Sequence, residues 1–302
     1  MNAEEENSFP EAGPVAAPAR RVPLWPLIPL LLALPPLAVS LGAGLRLLLA
    51  ALLGEPGIAP GGETAGEFER SPAGLVTLLL PSQIALLALA GLGLWLWRLP
   101  WRAGLGLGPG RVSPWTAGTL AVGSLFLQLP SGMLLEWLDL GRGETLELLD
   151  RTLGPQRGAA ALLALVLASV LPGVCEEGFF RGFLQRLLLS RWRPAWAIAA
   201  AGGAFALSHV DPVHVLAVLP LGLWLGFLAW RCGSLWPVVW AHVLHNAVAV
   251  VFAQLFFRAG GDPEAQARIG MAFLSVHAFA LAALVSGLRR LAVAEPPGPP
   301  LR

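Results

Sequence analysis

Eight apolar stretches punctuate this 302-residue chain, at roughly 22–53, 73–98, 115–138, 158–190, 194–209, 212–231, 235–257 and 267–290. A helix needs about 20 apolar residues, rising 1.5 Å each, to cross a bilayer. Most of the stretches qualify; 194–209 and 212–231 are short or tightly joined. Only 13% of residues are charged, against about 25% in soluble domains. The mean hydropathy is +0.67. Together these features predict an all-α polytopic membrane protein of about eight transmembrane helices. A net charge of +1 gives no hint of nucleic acid as a partner.

Residues 1–20 are acidic and Pro/Ala-rich and lack the basic start of a secretory signal, so they are expected to be a disordered tail. Residues 293–302 read as a second disordered tail, leaving 21–292 as the membrane domain. No repeat of fixed period is visible. Lysine and tyrosine are absent and arginine supplies all 20 basic residues, a bias that points to a GC-rich, bacterial source. Two cysteines, Cys175 and Cys232, make no disulfide framework.

The connections alternate in charge. Arg20 and Arg21 precede the first stretch; Glu55, Glu63, Glu67 and Glu69 follow it against Arg70. Arg98, Arg102 and Arg111 come next without an acid, then Asp139, Glu144, Glu147 and Asp150, then Arg186, Arg191 and Arg193. Arg231 follows the sixth stretch, and Arg289 and Arg290 close the eighth. Arginine returns at every second connection, which places both termini in the cytoplasm of a cell inner membrane. Trp192, Trp196, Trp230 and Trp236 near the ends fit an interfacial belt.

Against this background "GVCEEGFFRG", residues 173–182, is anomalous. Amphipathic sequence continues to Ser190, so a single helix through 158–190 carries Glu176 and Glu177 inside the membrane. Pro172 and Gly173 loosen the turn before them, which is permitted where the backbone faces protein or water. Glu177 and Arg181 are i and i+4 in the favoured order for a helical ion pair. Glu176, rotated by about 100°, has no local partner and is a candidate general base. The bland alternative is that all three groups end a helix at the interface. Cys175 beside them is read as a small inert hydrophobe more readily than as a nucleophile.

Two more polar positions complete a constellation. Glu177 lies 16 residues before Arg193 and His209 lies 16 after it, so an antiparallel hairpin lets Glu176 face His209. The small stretch "AAAGGA", residues 199–204, lets those two helices approach. In "WAHVLHN", His242 and Asn246 share a helix face while His245 points elsewhere. His214 is expected at the interface, His277 as a structural residue, and Asp211 in a turn. Ionisable groups on three membrane helices are costly and so point to function, in a polar cavity between the fourth, fifth and seventh helices.

The three sites spell out EExxxR (Glu176, Glu177, Arg181), FxxxH (Phe205 to His209) and HxxxN (His242 to Asn246). In that order, each on an apolar helix, they resemble the CPBP family of intramembrane proteases, also called the ABI or CAAX-protease family, related to the Ras-converting CAAX endopeptidase. The resemblance covers about 155–255. It implies a peptidase in which Glu176 activates water with His209 beside it. It further implies that His242 and Asn246 stabilise the oxyanion and that Glu177 and Arg181 support the site. Members are often labelled metalloproteases; a zinc site would use Glu176, His209 and His242. The sequence has no HExxH helix, and Asn246 is a poor zinc ligand, so a metal-free Glu mechanism is favoured. The implied partners are the lipid bilayer and a peptide or protein substrate reaching the site from membrane or cytoplasm. The alternative is an ion- or proton-coupled transporter, or a non-catalytic membrane binder, using the same cluster.

Overall fold

Residues 23–59, 62, 64–141 and 143–293 are described by the computed structural model. Among them every regular element is helical. The two tails, Arg20, Arg21 and Glu63 lie outside the described residues, except that the last helix runs on to Val293. Each apolar stretch is a helix within a few residues of its expected bounds. They are α1 (Leu27–Leu53), α2 (Pro72–Leu96), α3 (Pro114–Trp137), α4 (Gly158–Leu189), α5 (Pro194–Leu207), α6 (Pro212–Cys232), α7 (Trp236–Ala259) and α8 (Pro263–Val293).

The eight helices differ in length. Seven of these helices are long and apolar enough to cross a membrane; α5 is apolar but has only 14 residues. At 1.5 Å per residue it extends about 21 Å, short of the ~30 Å hydrocarbon core. The apolar pattern of 194–209 survives to its end, but Ser208 and His209 turn out of the helix towards Asp211. The acidic connection before α4 is also more than a loop. Gly143–Leu153 is an amphipathic helix whose Leu149 and Leu153 join a core cluster with Leu75 of α2 and Val250 of α7.

Apolar side chains face outward over much of the surface: Leu52 is 72% exposed, Phe279 69% and Leu162 67%. Such a surface is stable only in lipid. Lipid gives little hydrophobic drive for helices to associate, so close packing and hydrogen bonds between helices have to hold them. Phe179, Phe180 and Phe183 of α4 provide the first, buried among α1, α2 and α5.

Glycine provides the second. Gly202 of α5 and Gly222 of α6 meet backbone to backbone; a Cβ on Gly222 would lie 2.9 Å from the Gly202 carbonyl oxygen and 2.9 Å from Phe205. "AAAGGA" therefore uses Gly202 to bring α5 against α6, while Ala197 and Ala201 face the phenylalanines of α4. The bare α6 backbone is also within reach of α4. Arg181 Nη2 donates to Gly222 O at 2.8 Å, and Gln185 Nε2 donates to Gly226 O at 2.8 Å. Two donors one turn apart thus meet two carbonyls one turn apart, a pairing that side chains at 222 and 226 would block.

Gly222→Ala is expected to overpack this crossing, at a cost of about 1–3 kcal/mol, and to weaken the Arg181 contact. Thermal unfolding in detergent should show the loss. Gly203→Ala, where an added Cβ meets nothing within 4 Å, should change little.

Candidate functional site

The site is built on α4, which runs unbroken through the charged decapeptide. Its backbone widens into π-helical turns at Val166–Val170 and Gly178–Gln185, on either side of Glu176 and Glu177. Such insertions are rare and cluster at functional sites. Pro172 is one physical cause. It has no N–H for the carbonyl of Ala168, four residues back. Asn246 of α7 makes up the deficit, its Nδ2 donating to Ala168 O at 3.1 Å. The irregular turn faces protein, as a freed carbonyl in a membrane must. Gly173 lets the helices approach there, since a Cβ on it would lie 2.5 Å from Val243.

Glu177 and Arg181 form the expected pair, both side chains fully buried, with Arg181 Nη1 donating to Glu177 Oε1 at 2.8 Å. The arginine spends Nη2 on Gly222 O and lies over the Phe205 ring at 4.4 Å. The same Glu177 oxygen also accepts from His242 Nδ1 at 2.7 Å. A carboxylate only accepts, so Nδ1 carries the proton, and a neutral His242 keeps its lone pair on Nε2. That nitrogen faces Glu176 Oε2 at 3.9 Å. The other oxygen of Glu176 accepts from Gln83 Nε2 of α2 at 3.1 Å.

His209 stands just past the end of α5. No hydrogen bond or ion pair joins it to Glu176 among the described residues. His209 Nδ1 donates to Phe205 O at 3.0 Å, which leaves the Nε2 lone pair free. Its ring packs edge-on against Phe205 at 5.1 Å and against His214 at 4.4 Å. Phe205 also touches His242 at 5.8 Å, so one aromatic ring supports both histidines and the arginine.

Other positions sort readily. His214, expected at the interface, is buried against His209. Asp211 caps α6, its Oδ1 accepting from Val213 N and His214 N, while its Oδ2 accepts from Thr145 N of the amphipathic helix. His245 faces away, with its carbonyl bonded by Gln128 of α3. His277 is fully buried against the same glutamine. Cys175 is buried and offers no accessible nucleophile. Gln83 was missed: it lies in the half of the chain read only as generic helices, in "LLLPSQIALL", where a buried amide two residues after Pro81 was the available signal.

A zinc site of the His₂Glu type needs three donors around one point at about 2.0–2.2 Å. Glu176 and His242 face each other, but His209 is turned onto His214, and no three His, Cys, Asp or Glu converge among the described residues. As arranged, these side chains do not fit the ion.

Residues 158–248, from the start of α4 to the middle of α7, match the family model described as type II CAAX prenyl endopeptidase Rce1-like. That stretch is similar to an Rce1-like domain. It contains all of the motif residues, and the kinship with the CPBP intramembrane proteases holds for it. The family is one of CAAX-type membrane peptidases, and the chain is a multi-pass membrane protein. No curated protein and no solved structure matches. Gln83 lies outside the matched Rce1-like stretch yet reaches its central glutamate.

Asp211 lends itself to a pH test at the edge of the domain. The backbone N–H of Thr145 above all holds its carboxyl below the usual carboxylate range; burial opposes it, and the N–H groups of Val213 and His214 add to it. A depressed carboxyl stabilises the fold at pH values above its unfolded pKa of about 3.9, and that contribution is lost as pH falls through the folded value. Asp211→Ala should therefore melt earlier than the native chain at pH 7. The gap should close on acidification below the carboxylate range; a gap that persists there would mean Asp211 acts by packing alone.

Proposed function

We propose that the chain is an intramembrane endopeptidase in which Glu176 activates water for attack on a peptide bond. One observation carries this reading: Glu176 Oε2 and His242 Nε2 face each other across 3.9 Å, each held from behind, by Gln83 and by Glu177. The gap is too long for a direct hydrogen bond, yet one water about 2.8 Å from both atoms can join them. Both atoms are acceptors, so that water gives up both hydrogens and turns its lone pairs towards a substrate carbonyl. As the oxygen attacks the carbonyl carbon, Glu176 takes a proton and the carbonyl oxygen becomes an oxyanion. The second N–H of the Asn246 amide supplies a donor for that charge, as does His242 when it takes the water's second proton, which it gives up to the amine once the carboxylate product has formed. The C–N bond then breaks, and the proton held by Glu176 passes to the leaving amine.

This assigns His242 a share in activating water, where the family pattern alone gave it only an oxyanion role. The N–H of its neutral ring is spent on Glu177. His209, with its Nε2 free and His214 alongside, lines the approach of the peptide. We assign the substrate to a peptide or protein reaching the site from the membrane or the cytoplasm. The arginine alternation supports cytoplasmic termini in a cell inner membrane.

Two substitutions separate the glutamates. Glu176→Gln keeps the shape and the Gln83 contact but removes the base, so peptide cleavage should be abolished with the melting temperature unchanged. Glu177→Gln leaves Arg181 buried without its counter-charge, an expected loss of about 3–5 kcal/mol. Matching melting and activity profiles for the two variants would sink this division of roles.

The mechanism needs no metal, since Glu176 and His242 polarise water themselves. Purified, active protein should carry zinc well below one equivalent and keep its activity through strong chelation. Zinc at one equivalent, removed and restored together with cleavage, would show that the ligands move into place and would replace this mechanism.

A further inference from the structure

Far from the glutamates, the C-terminal end of α4 meets the connection between α2 and α3 and the turn between α6 and α7. Arg186 of α4 and Arg111 of the first connection come together there, close enough for their like charges to repel. Neither guanidinium has a hydrogen bond or an ion pair to any described residue, and the Arg186 Nε is buried with no acceptor. The sequence offers none nearby: residues 97–135, 178–210 and 212–261 contain no Asp or Glu.

Both guanidinium groups sit in cradles made by glycine. A Cβ on Gly106, at φ +70, would lie 2.9 Å from Arg186 Nη1. A Cβ on Gly233, at φ +66, would lie 2.9 Å from Arg111 Nε. The surrounding backbone is already engaged. Leu235 N donates to Gly106 O at 2.9 Å and Arg111 N to Cys232 O at 2.7 Å. Ser234 Oγ donates to Gly108 O at 2.8 Å and Trp236 Nε1 to Leu107 O at 3.3 Å. The pocket thus has two cations, up to ten N–H donors, and no anion from the described residues. Its flanks carry Trp101 and Trp236, 60% and 51% exposed, side chains suited to the headgroup layer.

We propose that Arg111 and Arg186 bind the phosphate of an anionic phospholipid. A phosphate offers the planar guanidinium its preferred acceptor geometry. It also neutralises a like-charge pair that would otherwise be costly beside the membrane. Basic pockets between membrane helices take lipid headgroups in this way. The tryptophans favour a lipid over a free anion, because they fix the pocket at the depth where headgroup phosphates lie. The assignment does not depend on the peptidase reading.

Native mass spectrometry of the full chain from detergent, with phosphatidylglycerol or phosphatidylcholine added, tests it. The native protein should retain phosphatidylglycerol in preference. The exposed Arg111 can be replaced without disturbing the core, and R111Q should weaken retention about fivefold, with R111Q/R186Q weakening it about 25-fold. R98Q, on the same face but outside the pair, should bind as the native chain does. Equal retention by R111Q and the native chain, or equal retention of the two lipids, overturns the proposal. Displacement of phosphatidylglycerol by millimolar inorganic phosphate alone also overturns it, reassigning the pocket to free phosphate. Peptide cleavage by R111Q should stay at the native rate, so a failure here is distinct from a failure of Glu176→Gln.

Discussion

The fully buried Glu177–Arg181 pair is the constraint around which the rest of the site is arranged. An ion pair removed from water keeps its charges only if other groups take over the lost solvation. Arg181 finds the Gly222 carbonyl and the face of Phe205. Glu177 finds His242. Each partner comes from a different helix, so solvating one arginine and one carboxylate joins α4 to α5, α6 and α7. The Gly202–Gly222 contact follows from the same demand, because α6 must come close to α4 and α5 for its carbonyl to be reached. What looks like a structural ion pair also sets the chemistry: by accepting from Nδ1 of His242, it turns the Nε2 lone pair towards Glu176.

A second constraint is the irregular backbone. Pro172 would leave a carbonyl without a donor inside the membrane, and Asn246 supplies it. This explains physically why an asparagine belongs one turn beyond His242, whatever it does to an oxyanion. The amide ties α7 to the widened turn of α4 and so fixes the height of His242 against Glu176. One N–H of that amide holds the fold together and the other is free for the substrate.

The helices were legible because apolar length and charge alternation are local, and their ends were found within a few residues. The α4 pair was legible for the same reason: Glu177 and Arg181 are one turn apart on one helix. Where the reading failed, the contacts crossed between helices. Gln83 to Glu176 spans 93 residues, and nothing in "PSQ" fixes which way that amide points. His209 was placed by counting residues from a turn, which says nothing of its ring's partners, Phe205 O and His214. His214 was assigned to the interface from its turn, but it is buried, with its ring 4.4 Å from that of His209. The amphipathic helix before α4 was passed over as an acidic loop, although its leucines recur on one face.

The contribution of α2 bears on how such a site can be assembled. The matched stretch of α4 to α7 holds every motif residue, yet the free orientation of Glu176 is fixed from outside it. A base must present one oxygen to water and keep the other occupied, or its carboxyl rotates between competing partners. Within α4 to α7, His242 and Arg181 donate to Glu177, and one N–H of Asn246 donates to Ala168. The second oxygen of the base takes its donor from another helix, and a neutral amide suits it. A cation there would pair with the carboxylate and quench it, whereas an amide orients it and leaves its charge available to the water.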